Sequence, residues 1–475
     1  MFAIKTAVIK NIKTFLFISF FLLTWFAIYA QPLKVHPDNF RYFTDGSGKV
    51  IVFTGSHTWM RKPVKKQWMP DGWNLQKFSK YLDFLQYWNH NYTRLWMWEQ
   101  PGDVDIWLKE PDGKYDLFKL NPAYFELVRS FVSEAASRGI YLGVMLFQGW
   151  SGTCEASKED WPRHAMNKQN NINGIDGDPG GIGYGNKVHS LDNKEIIKFH
   201  EAYVSKMIDV LNDFDNIMWE IGNETIESSI PWKAHLVKFI RDYESRKLKQ
   251  HLILDGTGNG VGNNSIRITD ADTFSPCIVT KWGSLNDPYI GNPPIPSDSL
   301  GKPIVLDNDH LGNHFLRYTA LNQRNWTFKS FTRGNHPIHM DCYDVKWDGA
   351  DPTPNHPIKN VTTNPHYDPQ RKSLGDVQRF AKKIDLAKMT PTSDSSICST
   401  TFCLANRGKE YLAYQPGVTG DINLFLPAGS YEAEYFDASD NSINKLRFMW
   451  KGGKKHFPKP SHVKEDWLLY AKARK

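Results

Sequence analysis

The sequence predicts an α/β fold, a (β/α)8 TIM barrel followed by a small antiparallel β-sandwich, and three observations predict it. Eight short apolar runs alternate with amphipathic helical stretches up to about residue 388. A polar stretch then interrupts this pattern, and the remaining strands alternate apolar and polar side chains with a period of two. The 475 residues accommodate one large and one small domain, at roughly 150 residues for an average domain.

The N-terminus predicts a secretory signal peptide over residues 1–30. Lys5, Lys10 and Lys13 precede an apolar run from Phe15 to Ile28, and Ala30 is a small residue suited to cleavage. The run is shorter than the roughly 20 residues that a membrane-spanning helix needs. An uncleaved N-terminal anchor is the alternative. We therefore expect a secreted, periplasmic or cell-surface protein, with no stable membrane insertion after cleavage.

Charge and aromatic content exclude several classes of protein. The formal net charge is +7, and three of these positive charges lie in residues 1–30, so the mature chain is nearly neutral. Nucleic-acid binding would need a stronger positive charge, so no nucleic-acid partner is expected. The 28 Phe, 20 Tyr and 17 Trp residues exclude a disordered or fibrous chain. Aromatic faces also stack on sugar rings, which makes the Trp content a functional hint.

The eight strand-like runs suit a parallel sheet that is covered on both faces. In chain order they span 50–54, 92–99, 141–147, 216–224, 251–255, 277–280, 303–306 and 337–341. Eight parallel strands are the number that closes a (β/α)8 barrel. An open doubly wound sheet is the alternative, but the residues after the first run contain no Gly-rich phosphate turn.

The clearest helix lies between the third and fourth runs. Its apolar residues recur three or four positions apart, the spacing of one helix face: Ile196, Phe199, Tyr203, Met207 and Leu211. Asp192, followed three positions later by Glu195, predicts a capping box at the start of this helix.

The C-terminal part predicts a separate β-sandwich. Residues 390–396 form a polar, linker-like stretch, and Ile422, Leu424 and Leu426 then alternate with other side chains. Residues 431–435 repeat the alternation, and 467–470 predict a last strand. We therefore divide the chain into a signal peptide at 1–30, a barrel at 31–388 and a β-sandwich at 389–475.

The five cysteines form no CxxC pair, which excludes zinc-ribbon and thioredoxin-like sites. Cys398 and Cys403 lie close enough in sequence to be a candidate disulfide in an exported protein.

The active site of a (β/α)8 barrel lies at the carboxyl ends of its strands, and these ends are rich in polar and aromatic residues here. The candidates are His57, Trp59, Trp98, Glu99, Trp150, Asn223, Glu224, Trp282, Asp307, Asp309, His310 and Asp341. Carboxyl groups that converge on one rim are typical of glycosidic-bond cleavage, in which one protonates the leaving oxygen and the other attacks or activates water. Packing is the alternative for the indoles and His57, and a structural role for Glu99 and Asp341.

Residues 219–224, Trp-Glu-Ile-Gly-Asn-Glu, resemble the signature at the end of strand four in clan A glycoside hydrolases. The order of elements from Pro32 to Leu386 is similar to apiosidase-like and cellulase-like barrels. The C-terminal part resembles a domain labelled collagen-binding in such chains. The resemblance implies that Glu224 is the general acid/base, that Asn223 binds a sugar hydroxyl and that Arg94 lies near the nucleophile. A structural ion pair is the alternative for Arg94.

The chain departs from that pattern at strand seven, where clan A barrels place a nucleophilic Glu. Residues 302–310 contain Asp307 and Asp309 instead, two positions apart and therefore on one face of a strand. Either could be the nucleophile, and we expect a retaining reaction with Asp307. Capping of the following helix is the alternative role for each aspartate.

The sequence therefore predicts a secreted glycoside hydrolase that cleaves a poly- or oligosaccharide with two carboxyl groups and needs no cofactor. No metal is expected, because the 16 His residues show no HExxH or similar zinc pattern; this also disfavours a metal-dependent hydrolase or deacetylase. The alternative is a non-catalytic carbohydrate- or matrix-binding protein with a degenerate barrel. The sequence indicates neither the sugar nor the oligomeric state.

Overall fold

The structure is a computed structural model, and it describes most of the chain after residue 30. The described residues are 31–60, 72–96, 104–149, 153, 158–223, 225–256, 271–275, 277–278, 293, 295–296, 301–308, 319–341, 343, 365–417 and 420–474.

Up to residue 341 the strands follow one another in mostly parallel order. They are β1 (Lys34–Val35), β2 (Phe43–Thr44), β3 (Gly55–His57), β4 (Tyr92–Trp96), β5 (Trp107–Lys109), β6 (Tyr115–Leu120), β7 (Tyr141–Met145), β8 (Ile217–Glu220), β9 (Ile253–Gly256), β10 (Thr273–Ser275), β11 (Cys277–Ile278), β12 (Val305–Asn308) and β13 (His336–Met340). β1 pairs with β2 and β5 with β6 as antiparallel ribbons. The remaining strands pair in parallel.

The parallel strands lie in the order expected for a barrel, but the described residues form two sheets. One has the order β10-β9-β8-β7-β4, and the other has the order β11-β12-β13-β3. The last strand, β13, pairs with the first, β3, as barrel closure requires. Between β3 and β4 no ladder is described; instead, the Thr54 N–H donates to the Asn91 side chain and the Asn91 N–H to the Thr54 carbonyl, each at 3.0 Å. The predicted α/β architecture is therefore confirmed, whereas a closed ladder is not observed.

The first predicted strand begins later than expected. The apolar run 50–54 contributes a single bridge at Ile51, and strand β3 starts at Gly55. The Phe53 N–H donates to the His336 ring at 2.8 Å, so this backbone group is bound to a side chain and not to a strand.

Six α-helices are described, each packed against the parallel strands or the adjoining C-terminal sheet. They are α1 (Leu75–Tyr87), α2 (Pro122–Ser137), α3 (Lys194–Leu211), α4 (Ile230–Glu244), α5 (Ala320–Thr332) and α6 (Asp368–Lys383). The predicted periodicity of α3 is confirmed, because its five apolar residues are buried. Its predicted cap is wrong: Asn193 accepts from the Glu195 and Ile196 N–H groups, while Asp192 pairs with Lys187. Among the described helices, none is long and apolar enough to cross a membrane.

The C-terminal strands form an antiparallel sheet covered on both faces. The strands are β14 (Thr390–Thr392), β15 (Cys403–Asn406), β16 (Glu410–Gln415), β17 (Ile422–Leu426), β18 (Gly429–Asp437), β19 (Ile443–Trp450), β20 (Gly453–Phe457) and β21 (Trp467–Ala473). Six of them pair in the order β14-β15-β16-β21-β18-β19, and β17 pairs with β20 as a second layer. The stretch expected to be a linker thus contributes the edge strand β14, whose residues pair with β15.

The faces of the six-stranded sheet contact different partners because its side chains alternate. Leu404, Leu412 and Leu468 pack with Phe328 of α5 and Phe380 of α6. The opposite face packs on β17 and β20 through side chains that include Tyr411 and Trp467. Helices α5 and α6 and one face of the C-terminal sheet therefore share a core.

The candidate disulfide is not formed. Cys398 and Cys403 are free, buried thiols. The Cys398 sulfur lies 3.4 Å from the Thr400 hydroxyl, and the Cys403 thiol lies 3.5 Å from the Leu404 carbonyl oxygen.

Candidate active site

A buried arginine, Arg94 in the middle of β4, binds groups from two other strands. Its Nη1 donates to Asp307 Oδ2 at 2.8 Å, and its Nε donates to Glu220 Oε2 at 3.0 Å. Its Nη2 bonds both to Glu220 Oε1 and to Asn223 Oδ1, the latter at 2.6 Å. The guanidinium thus joins β4, β8 and β12 at one point inside the parallel sheets.

The groups that bind Arg94 meet because each lies at or near the carboxyl end of a parallel strand. Glu220 is the last residue of β8, and Asn223 follows three positions later. Asp307 is the third of four residues in β12. Side chains on neighbouring parallel strands that lie at the same level and on the same face come together. This is the end of the sheet where α/β barrels carry their chemistry.

A histidine completes the contacts of Asp307. His57, the last residue of β3, has its Nε2 at 2.8 Å from Asp307 Oδ1. An ionised carboxylate only accepts hydrogen bonds, so His57 Nε2–H is the donor. One oxygen of Asp307 therefore accepts from His57 and the other accepts from Arg94.

Asp307 is held ionised in the interior. Burial by itself would raise the pKa of its carboxyl group, but the His57 ring and the Arg94 guanidinium outweigh that effect and lower the pKa below its ordinary value. Its side chain and that of Glu220 are fully buried, and Arg94 is 3% exposed. Burying charges in this way seldom increases stability over an apolar packing, so the arrangement indicates a functional centre.

The backbone of Asn223 is fixed by the neighbouring strand. Its N–H donates to the Phe147 carbonyl at 3.0 Å, and its carbonyl accepts from the Gly149 N–H at 2.6 Å. Because its side-chain oxygen accepts from Arg94, its amide nitrogen is directed elsewhere. That nitrogen is buried and has no hydrogen-bond partner among the described residues. It is a donor suited to a ligand oxygen.

Aromatic rings lie against this centre. Trp96, at the end of β4, stacks on His57 with ring centroids 5.4 Å apart and lies 5.6 Å from the Arg94 guanidinium carbon. Trp59 contacts Trp96 edge to face at 6.4 Å. Both indoles are almost fully buried. Trp96 therefore packs against His57 and Arg94, and Trp59 packs against Trp96.

The candidate residues fall into three groups in the structure. It brings Arg94, Asn223, Asp307 and His57 together, with Trp59 one ring away. It places Asp341 apart: both carboxylate oxygens bind Arg371 of α6, at 2.9 and 2.5 Å, in an ion pair between strand and helix. Seven candidates lie outside the described residues: Trp98, Glu99, Trp150, Glu224, Trp282, Asp309 and His310.

Sequence reasoning missed two residues of this centre, Glu220 and Trp96. A signal existed for both. Trp96 lies two positions after Arg94, so the two share a strand face, and Glu220 is an acid in the otherwise apolar strand Ile217–Glu220.

Comparison with known proteins shows the fold but no family. No protein-family profile matches the sequence, and no curated protein matches it. Among solved structures, the chain is similar to a protein described as "Glycoside hydrolase", with 14% identity, a TM-score of 0.59, and coverage of 93% of this chain and 97% of that one. It is also similar to a glycoside hydrolase family 5 protein from Bacteroides vulgatus ATCC 8482, with 16% identity, a TM-score of 0.64, and coverage of 93% and 92%. At such identity the likeness establishes the shared architecture alone.

Proposed function

We propose that the protein is a glycoside hydrolase that cleaves O-glycosidic bonds of a poly- or oligosaccharide. The observation that carries the proposal is the buried, ionised Asp307, bound by Arg94 next to Asn223 at the carboxyl ends of parallel strands. Two-carboxylate hydrolysis requires one carboxyl group that stays ionised and one that carries a proton. Asp307 supplies the first. The fold shared with proteins described as glycoside hydrolases supports the same assignment.

In the proposed reaction Glu224 is the acid/base and Asp307 the nucleophile. Glu224 gives its proton to the glycosidic oxygen as the bond to the anomeric carbon breaks, and Asp307 attacks that carbon to form a glycosyl ester. Glu224 then takes a proton from water, whose oxygen displaces Asp307 and restores both groups. The configuration of the anomeric carbon is retained. The Asn223 amide donates to a sugar hydroxyl, and Arg94 with His57 keeps Asp307 ionised.

Asp307 retains the capacity to react although both of its oxygens are bound. Each carboxylate oxygen offers two lone pairs, and among the described side chains one oxygen accepts from His57 and the other from Arg94. Asp309 is the second candidate nucleophile, because a spacing of two residues would place it on the same strand face as Asp307, but it lies outside the described residues. The contacts of Asp307 with Arg94 and His57 support the choice of Asp307.

The remaining parts of the proposal rest on the sequence. Residues 1–30 direct export, so the enzyme acts outside the cytoplasm. The mature chain consists of a barrel at 31–388 and a β-sandwich at 389–475. The barrel is of the apiosidase-like or cellulase-like type, and the sandwich is of the collagen-binding type. Trp98, Trp150 and Trp282 stack on sugar rings, while Glu99 and His310 contact substrate.

A non-catalytic binding protein with a degenerate barrel is the competing function. It would be favoured by strand-seven aspartates that turn away from the interior. Asp307 instead faces Arg94 and His57, and this orientation supports the enzyme.

The first experiment measures sugar released by the purified mature chain from a panel of plant and microbial polysaccharides. Glu224→Gln should lower turnover by about a thousandfold or more, because a neutral amide cannot transfer the proton. Circular dichroism and thermal unfolding should match the wild type. Unchanged turnover in the variant would remove Glu224 from the mechanism, and no release from any polysaccharide by the wild type would favour the binding protein.

A further inference from the structure

We propose that Glu220 is a positioning residue of this centre: it holds the Arg94 guanidinium in place and, through it, orients Asn223 and Asp307. The inference rests on the proposed function and extends it to a residue to which neither the sequence motif nor the comparisons give a role.

Glu220 binds one edge of the guanidinium with both of its carboxylate oxygens. Its Oε2 accepts from Arg94 Nε at 3.0 Å, and its Oε1 is bonded to Arg94 Nη2. A paired contact of this kind fixes the plane of the guanidinium as well as its position. The same Nη2 bonds to Asn223 Oδ1 at 2.6 Å, and Nη1 bonds to Asp307. The orientation of both groups thus depends on a plane that Glu220 sets.

Glycines on both neighbouring strands leave room for this carboxylate. A Cβ added to Gly256 at the end of β9 would lie 2.8 Å from Glu220 Oε1 and 2.5 Å from the Gly222 carbonyl oxygen. A Cβ added to Gly143 in β7 would lie 2.3 Å from the Tyr92 hydroxyl and 3.6 Å from Glu220 Oε2. The two glycines therefore keep the space beside the Glu220 carboxylate free of side chains.

Glu220 also sets the electrostatic environment of Asp307. Arg94 carries one positive charge and faces two carboxylates, so Glu220 offsets part of the attraction that Arg94 exerts on Asp307. Among the described residues, the His57 ring also contacts Asp307, and Tyr92 and His339 interact with it electrostatically. Removing the negative charge of Glu220 would strengthen the net attraction of Arg94 for Asp307 and lower the pKa of Asp307 further.

The test compares Glu220→Gln with a matched variant, Glu244→Gln. Glu244 is also buried and also contacts β8, but from the outer side, where it binds the Trp219 indole at 2.9 Å and the His251 N–H at 2.8 Å. Glu220→Gln should lower kcat about a hundredfold, because a small misplacement of reacting groups costs that much, and KM should change less than threefold. The acid limb of the kcat/KM profile should move to lower pH by about half a unit or more. Glu244→Gln should lower stability and leave that limb in place.

A second readout does not depend on catalysis. In protein labelled with carbon-13 at the aspartate carboxyls, the Asp307 signal is assigned by its loss in Asp307→Asn, and its titration should shift to lower pH in Glu220→Gln. If the wild type cleaves no polysaccharide, the proposed function fails, and this titration still decides whether Glu220 acts on Asp307.

A third variant covers the case in which Glu220→Gln does not fold. Glu220→Asp keeps the charge but withdraws the carboxylate, so kcat should fall about tenfold while the acid limb stays in place. The proposal is overturned by full activity in Glu220→Asp. It is equally overturned if Glu220→Gln leaves both the acid limb and the Asp307 titration where the wild type has them.

Discussion

At the scale of single residues, the centre consists of one cation that is shared by two carboxylates and an amide. Arg94 is placed by β4, Glu220 by β8 and Asp307 by β12, so three strands must pair in register before the centre exists. Charges buried in this way cost desolvation energy, which their mutual contacts offset only while every partner is present. Small changes around the centre should therefore have large effects.

Gly256 provides a test of that expectation. Gly256→Ala should lower the free energy of unfolding by about 1–3 kcal/mol, because its Cβ would meet the Gly222 carbonyl oxygen at 2.5 Å, a backbone atom that cannot rotate away. Urea unfolding measures the change. Gly180→Ala is the control, since its nearest neighbour would be a side-chain carbon at 3.9 Å, and its effect should stay below about 0.5 kcal/mol. Equal stability of the two variants would contradict the tight approach of β9 to β8.

At the scale of elements, α6 joins the parallel sheets to the C-terminal sheet. Its Arg371 binds Asp341 after β13, and its Phe380 packs in the core shared with the C-terminal strands. Its Asp376 is buried and accepts from the Asn441 amide at 3.0 Å. Burial raises the pKa of Asp376 to about 6, against the opposing effects of Arg379 and Lys372.

The raised pKa predicts a dependence of stability on pH. Between about pH 4 and 6 the folded chain keeps a proton on Asp376 that the unfolded chain has lost, so this group favours folding more as the pH falls from 7 towards 4. Asp376→Asn should therefore raise the free energy of unfolding at pH 7.5 by about 1–3 kcal/mol and reduce its pH dependence in that window. Thermal unfolding from pH 4 to 8 measures both.

The exposed Asp385, just after α6, supplies the control for this helix. Asp385→Asn should change the free energy of unfolding by less than about 0.5 kcal/mol at pH 7.5. If Asp376→Asn is less stable than the wild type at pH 7.5, burial of the ionised Asp376 carboxylate does not destabilise the fold, which contradicts this prediction.

At the scale of the whole molecule, the succession of strands and helices follows from the sequence, while the identity of the inner contacts does not. Apolar runs give β4, β7, β8 and β9 because continuous burial demands continuous apolar residues. Strand β3 begins later than the run 50–54 predicts because the Phe53 N–H donates to the His336 ring, which lies 283 positions away in the sequence. The predicted cap at Asp192 is wrong because aspartate and asparagine both suit an N-cap, and the local backbone places Asn193 in that position.

The residues of the candidate site, like the strands and helices, could be predicted from the sequence only in part. The strand-end rule points to Asn223 and Asp307, whereas Arg94, in the middle of its strand, is suggested by the resemblance to known barrels. Glu220 was missed because an acid inside a strand acquires meaning only when its partner, 126 positions away, is known. Asp341 was included because it ends a strand, but position along a strand does not reveal that its side chain binds the helix Arg371.

The central claim is that the Asp307 carboxylate takes part in glycosidic-bond cleavage. The most direct measurement is kcat/KM on the best polysaccharide for Asp307→Asn and for Asp466→Asn. Asp466 is a buried aspartate that binds Arg324 Nε at 2.8 Å and the Tyr414 hydroxyl at 2.8 Å, and it has no contact with the centre among the described residues. We expect Asp307→Asn to lose about a thousandfold and folded Asp466→Asn to stay within about twofold of the wild type. Retention of more than about a tenth of the activity by Asp307→Asn would contradict the account.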